Sequence, residues 1–195
     1  MSIVISVIDN DEKVVLMFAD TRRQQVNSDN TRTIADDAVK AYYINDKTMV
    51  GFTGSVMRGA GLLMKLREKS HLLTKELLTI ADNVDISPDI IHGRSFTSCF
   101  IISGIDENGS PYVWAKSSTN PATVSVPAPG KIVYSCACLD QNSELVAQSA
   151  FVDNLVIAGS PVLDYRIAIS KAIEAVSLID LSVSKEHNQL EIKYI

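Results

Sequence analysis

The sequence is poor in the features that mark metal, membrane and nucleic-acid proteins. Its three cysteines, Cys99, Cys136 and Cys138, are an odd number with no ligand-like spacing toward His71, His92 or His187. Neither a disulfide framework nor a metal site is therefore expected, no cofactor is called for, and the thiols read as buried apolar filler in a reducing compartment. No apolar run is long enough to span a bilayer, and the N-terminus has neither the basic flank nor the cleavage region of a secretory signal, so a cytoplasmic location without membrane attachment is expected. Positive charge is scarce: 18 Lys and Arg against 23 Asp and Glu leave a net charge of -5. No basic run or interleaved aromatic stripe offers a footprint for a phosphate backbone, and nucleic acid is not an expected partner. Repeats, low-complexity tracts and extended linkers are also missing; Pro121 to Gly130 is the one stretch that reads as a long loop. With 195 residues, 46% of them hydrophobic, the span 1–195 is expected to form a single domain around one core.

What the chain does have is a pair of apolar, β-branched runs at its start, Ile3 to Ile8 and Val14 to Arg22, separated by the polar Asp9 to Lys13. They predict a hairpin. If residues 9–13 form the loop, Ile8 faces Val14 and Ser2 lies directly opposite Asp20, with Cβ atoms about 4.5–5.5 Å apart. Ser2 follows an initiator methionine and is small enough for an aminopeptidase to remove Met1. The exposed α-amine would have an ordinary pKa of roughly 7.7–8.0, so it could take the proton of its own hydroxyl and make Ser2 nucleophile and base together. With Met1 attached the nitrogen is an amide and cannot do this.

Arg23 to Asp37 is polar without a sustained period and reads as a loop. Ala38 to Ile44 and Met49 to Gly54 flank the turn residues Asn45-Asp46-Lys47-Thr48 and predict a second hairpin. With Asp46 to Thr48 as its loop, Lys40 faces Gly54 across the open end. Ser55 is set to cap a helix through Arg67, in which Gly59 and Gly61 permit close packing, and a second helix is predicted from Leu72 to about Asn83. Strands follow at Phe96 to Ser103 and Pro111 to Lys116 around an Asn-Gly turn, then at Lys131 to Cys138. Helices are predicted from Ser143 to about Asn154 and from Pro161 to about Asp180, the latter with Ser160 as cap and a stripe of Ile167, Ile169, Ile173, Val176 and Leu178. A last hairpin is expected around His187-Asn188. This order fits two antiparallel sheets covered on the outside by helix layers, which makes a polar residue at a buried strand end either paired or functional.

At this point the residues resemble the N-terminal-nucleophile hydrolases of the proteasome β-subunit and HslV type. Ser2-Ile3-Val4-Ile5-Ser6-Val7 looks like that family's Thr-Thr-Ile-Val-Ser-Val start, and Ala19-Asp20-Thr21-Arg22 like its Ala-Asp-Thr/Ser-Arg segment. Tyr43 to Gly54 is similar to its Leu-Tyr-Asn-Asp-Lys-Val-Ile-Ala-Gly-Phe-Ala-Gly. The resemblance implies an α+β, four-layer αββα sandwich and a peptidase in which Ser2 is the nucleophile. Asp20 would orient Lys40, Lys40 would lower the proton affinity at the nucleophile, and the Gly54 N–H would serve an oxyanion. Ser135, within Tyr134-Ser135-Cys136-Ala137, stands in for the serine of the family's Gly-Ser-Gly turn. Asp180, with Ser182 or Ser184 after it, approximates the Asp near the family's last strands. A peptide or unfolded-protein substrate, a homo-oligomeric ring and an ATPase unfoldase partner belong to the same expectation. Two other readings are weighed: a catalytically silent structural or assembly subunit, because serine replaces threonine and Gly-Ser-Gly is missing, and an amidase acting on a small amide.

Overall fold

Both opening runs form strands, β1 (Val4–Asp9) and β2 (Val14–Asp20), and every residue in them is buried. The computed structural model describes residues 2–27, 29, 31–91, 94–138, 140–155 and 165–195. Side chains alternate along a strand, so Ile5, Val7, Leu16 and Phe18 enter one core layer while Val4, Ile8, Val15 and Met17 enter another. A strand buried on both faces has to be apolar throughout, which accounts for the unbroken runs.

The register differs by one residue from the sequence expectation. Ile8 pairs with Val15 and Asp9 with Val14, so the loop is residues 10–13. The cause is Asp9. Its carboxylate accepts from the Asp11 N–H at 2.8 Å and the Glu12 N–H at 3.0 Å and also takes the Tyr165 hydroxyl, a set of donors that keeps a buried acid in the strand and winds the turn after it. Asp20 consequently stands across from Ile3, donating its N–H to the Ile3 carbonyl at 3.1 Å, rather than across from Ser2.

The polar stretch after β2 is a hairpin, not a loop: β3 (Arg22–Val26) pairs with β4 (Arg32–Asp36). The second expected hairpin is β5 (Ala41–Asn45) with β6 (Thr48–Thr53), and an irregularity between Tyr43 and Asn45 shifts its register. Lys40 is thereby set against Phe52, whose N–H reaches the Lys40 carbonyl at 3.0 Å, two positions short of Gly54. Ser55 caps α1 (Val56–Glu68) by accepting from the Arg58 N–H. Gly59 is needed there, because a Cβ would lie 2.2 Å from the Phe52 ring, whereas one on Gly61 would meet nothing within 4 Å. Then come α2 (Thr74–Asp82), the short pair β7 (Asp89–Ile91) and β8 (Arg94–Phe96), and the long pair β9 (Cys99–Ile105) and β10 (Pro111–Ser117). The expected Pro-rich loop contributes an edge strand, β11 (Thr123–Ser125), before β12 (Ile132–Ala137).

Two helices, α3 (Gln141–Leu155) and α4 (Tyr165–Ile179), precede the last strand, β13 (His187–Lys193). The Ser160 cap and Pro161 start expected for α4 lie outside the described residues. Its buried face is Tyr165, Ala168, Ile169, Ala172, Ile173 and Val176, while Ile167 and Leu178 from the expected stripe are exposed. No terminal hairpin forms around His187; β13 runs antiparallel to β2 instead, pairing His187 with Asp20.

One sheet has the order β12-β1-β2-β13 and the other β11-β10-β9-β6-β5. Their facing sides share one apolar layer, in which Val4, Met17, Met49 and Ile101 meet. The outer side of the first sheet packs on α3 and α4 through Phe18, Phe151 and Ile169, and that of the second on α1 and α2 through Phe52, Leu62, Leu77 and Trp114. The fold is thus the α+β, four-layer αββα sandwich that the element order predicts. The cysteines are half-buried and unbonded rather than fully enclosed.

Candidate active site

At the end of the two sheets opposite the β1–β2 turn, four stretches converge: the start of β1, the end of β2, the residues before β5, and the segment between α4 and β13. Asp20 closes β2 and is fully buried, and Lys40, just before β5, is 4% exposed. The Lys40 Nζ donates to both Asp20 carboxylate oxygens, each at 2.9 Å, and to the Arg22 carbonyl. An ammonium has three N–H donors, and these acceptors engage them.

Asp20 is equally committed. Its Oδ1 accepts from the Ile3 N–H at 2.8 Å, and its Oδ2 from the N–H groups of Arg22 at 3.0 Å and Ser184 at 3.4 Å. A carboxylate out of water requires this many partners. Burial pushes the Lys40 amine below its ordinary value, against the opposing pull of Asp20; removing a cation from water disfavours its charged form.

Arg22 ties the pair to its surroundings. Its guanidinium makes a two-pronged contact with Asp36 at 2.6 and 2.7 Å and donates to the carbonyls of Leu181 at 2.8 Å and Val183 at 3.3 Å. The hydrogen bonds to Asp36 raise the Arg22 guanidinium above its ordinary pKa, and Arg22 in turn holds the Asp36 carboxyl below the usual carboxylate range. The exposed β3–β4 hairpin and the 181–183 segment are therefore clamped beside the buried pair. The Arg22 carbonyl and the Ser184 N–H were not legible as partners, since main-chain groups leave no side-chain signature.

Ser2 is 8% exposed and adjoins Ile3, the residue whose N–H is bound to Asp20. Gly54 follows β6 with φ of +88°, and a Cβ there would lie 2.0 Å from the Thr97 carbonyl oxygen, so only glycine is accommodated. Among the described residues no acceptor takes the Gly54 N–H.

Among the described residues neither Ser135 nor Asp180 hydrogen-bonds to Ser2, Asp20 or Lys40 through its side chain. Ser135 sits within β12 directly across from Ser6, four positions along β1 from Ser2, which is about 13 Å at the rise of a strand. Asp180 turns on its own loop: its Oδ1 accepts from the Ser182 N–H at 2.9 Å and hydroxyl at 2.5 Å. Its Oδ2 is buried without a partner among the described residues. It is Ser184, through its main chain, that reaches Asp20. Among the described residues no group of three His, Cys, Asp or Glu side chains is placed to hold a metal ion, and no helix is long and apolar enough to cross a membrane.

No family model matches the chain, and no curated protein matches it in sequence. Among solved structures it is similar to eukaryotic HslV from Trypanosoma brucei, with a TM-score of 0.64 and 18% identity over 98% of this chain and 99% of that one. At that identity the likeness establishes the fold, which is proteasome-like.

Proposed function

We propose that the chain is a peptidase that cleaves peptide bonds through Ser2 once Met1 has been removed. The observation that carries this reading is the double engagement of Asp20, whose Oδ1 binds both the Ile3 N–H at 2.8 Å and the Lys40 ammonium at 2.9 Å. One carboxylate thus sets the position of a buried cation relative to the residue next to Ser2. The cation favours an alkoxide at Ser2 and keeps the freed α-amine neutral, so the amine can accept the hydroxyl proton. The oxygen attacks the substrate carbonyl, the Gly54 N–H receives the developing oxyanion, and the amine returns the proton to the leaving nitrogen. Water then hydrolyses the Ser2 ester. By the same resemblance the chain assembles as a homo-oligomeric ring that takes unfolded polypeptide from an ATPase partner.

A second reading, that of a silent structural or assembly subunit, is favoured by two observations. Ser135 lies across from Ser6 and Asp180 makes its side-chain hydrogen bonds to Ser182, and the Lys40 N–H donors are already engaged by Asp20 and Arg22. Intact-mass measurement combined with a fluorogenic peptide panel, small acyl amides included, separates the readings. The peptidase reading expects a chain lacking Met1, turnover of peptides over small amides, and loss of turnover in Ser2→Ala. Retention of Met1 on protein from its native host, or peptide turnover unchanged in Ser2→Ala, would overturn it.

A further inference from the structure

The chain's three cysteines line one cleft, of about 780 Å³, between the ends of the two sheets. Cys99 opens β9, while Cys136 and Cys138 flank Ala137 at the end of β12. Side chains two apart on a strand share a face: Ala137 packs into the layer between the sheets, and Cys136 and Cys138 both turn toward the α3 side. Their Sγ atoms lie 3.4 Å apart, within hydrogen-bond reach, both residues are half-buried, and neither sulfur is in a disulfide. Cys99 is oriented differently, with its Sγ directed at the Cys138 carbonyl at 3.8 Å.

We propose that Cys136 and Cys138 form a modification site, a dithiol that a small neutral disulfide converts reversibly into an intrachain disulfide while Cys99 stays a thiol. The Cys136 thiolate attacks one sulfur of the reagent, forming a mixed disulfide and expelling half the reagent as a thiolate. Cys138 then releases its proton to water in the cleft and attacks the Cys136 sulfur, expelling the other half. Two protein thiols are oxidised, and the reagent disulfide is reduced to two thiols.

The geometry permits closure. A disulfide needs about 2.03–2.05 Å between sulfurs, and Cys138 lies one residue past the last ladder position of β12, so it can move without breaking a strand pair. A bridge between residues two apart is strained, and strained disulfides are the readily reduced, exchangeable ones. The hydrogen bond to Cys136, with burial, pushes the Cys138 thiol up, so its thiolate is scarce and its attack is the slow step of closure. The cleft also selects the reagent's charge. Asp140 and Glu144 line it, and Lys116, which also lines it, commits its ammonium to the carbonyls of Asp82 at 2.6 Å and Val84 at 3.3 Å at the end of α2. An anionic disulfide is disfavoured relative to a neutral one.

The test is thiol titration and peptide mapping of the whole chain after exposure to hydroxyethyl disulfide. Titratable thiols are expected to fall from the three of the native sequence to one, with a bridge mapped within the Cys136–Cys138 peptide and full recovery on adding dithiothreitol. Cys99→Ser should still lose two thiols, while Cys136→Ser and Cys138→Ser should form no internal bridge. Mapping of the unmutated chain decides the matter even where a variant fails to fold. A persistent mixed disulfide on Cys136 or Cys138, a bridge to Cys99 or to a second chain, or three unreacted thiols would overturn the proposal.

Discussion

Two hairpins adjoin at Thr21 and are built on opposite principles. β1–β2 has apolar residues on both faces and ends in an ion pair withdrawn from water, with Asp20 and Lys40 side chains 0% and 5% exposed. β3–β4 is polar along its length and carries ion pairs in the open, among them Arg23–Asp37 at 47% and 58% exposure. The same pairing of opposite charges thus serves different ends. In water it contributes little, because the solvent already stabilises each ion. Inside the fold it does not act as a source of net stability either, but once one partner is present the other becomes obligatory.

The sharpest way to break that contrast is Asp20→Ala. It would strand the Lys40 ammonium against the Arg22 carbonyl alone, and a cost of about 3–5 kcal/mol is expected for a buried ion left unpaired. Urea denaturation measures it, and a loss no larger than that of a surface pair would erase the distinction between the hairpins.

Lys40→Met should cost less, about 1.5–3 kcal/mol, the range for losing hydrogen bonds to a charged group. The reason is an asymmetry within the pair: Asp20 keeps the N–H donors of Ile3, Arg22 and Ser184 after the lysine is gone. The double substitution should cost less than the sum of the two singles, because the partners share one interaction. A Lys40→Met penalty exceeding that of Asp20→Ala would show that the main-chain cradle does not hold the carboxylate. Peptide turnover, if Lys40 acts as proposed, is lost in both.

The contrast between the hairpins is also the contrast between what could and could not be read from the chain. Periodicity reports burial. It found β1 and β2 because water is excluded from both of their faces, and it missed β3 and β4 because the residues that turn partly inward in β3 are the polar Arg22 and Gln24, while Thr33 and Ile34 are exposed. The one-residue difference in the first hairpin arises at Asp9, a residue type common in turns whose partner in burial, Tyr165, lies in α4 far along the chain. Asp20 and Lys40 were legible because the resemblance rests on motifs that contain or adjoin them and a buried carboxylate demands a cation; Gly54 takes the left-handed conformation that calls for glycine. Ser135 and Asp180 rest on the loosest parts of the resemblance; Ser135 pairs with Ser6 and Asp180 bonds Ser182, since an approximate motif match carries no information about which strand face or turn a serine or aspartate will occupy.

A smaller effect distinguishes the hairpins by pH. Arg22 holds the Asp36 carboxyl below its ordinary 3.8. A depressed folded-state pKa contributes stability that is fully present above 3.8 and is lost as the pH falls through the folded value. Acid should therefore loosen the Arg22 clamp on β3–β4 and the 181–183 carbonyls before it unfolds the sandwich. Amide hydrogen exchange at Arg32 to Asp36, followed from neutral pH downward, is expected to rise before exchange in β1 does. Simultaneous loss of protection would mean that the hairpin and the core open as one unit.

The smallest effect is expected at Arg23–Asp37. Both side chains are about half exposed, and Arg23→Ala should change stability least of these variants, since solvent already stabilises each ion. That difference should shrink further as salt is raised past about 0.15 M, where the screening length falls to about 8 Å. Salt should leave the Asp20→Ala penalty nearly unchanged, since ions do not reach a carboxylate with no exposed surface. Measuring both variants across the same salt series tests the comparison directly: it holds where the surface term fades and the buried one does not, and fails if both fade together, because water would then reach Asp20 and Lys40 and the pair would be no more withdrawn from solvent than its neighbour.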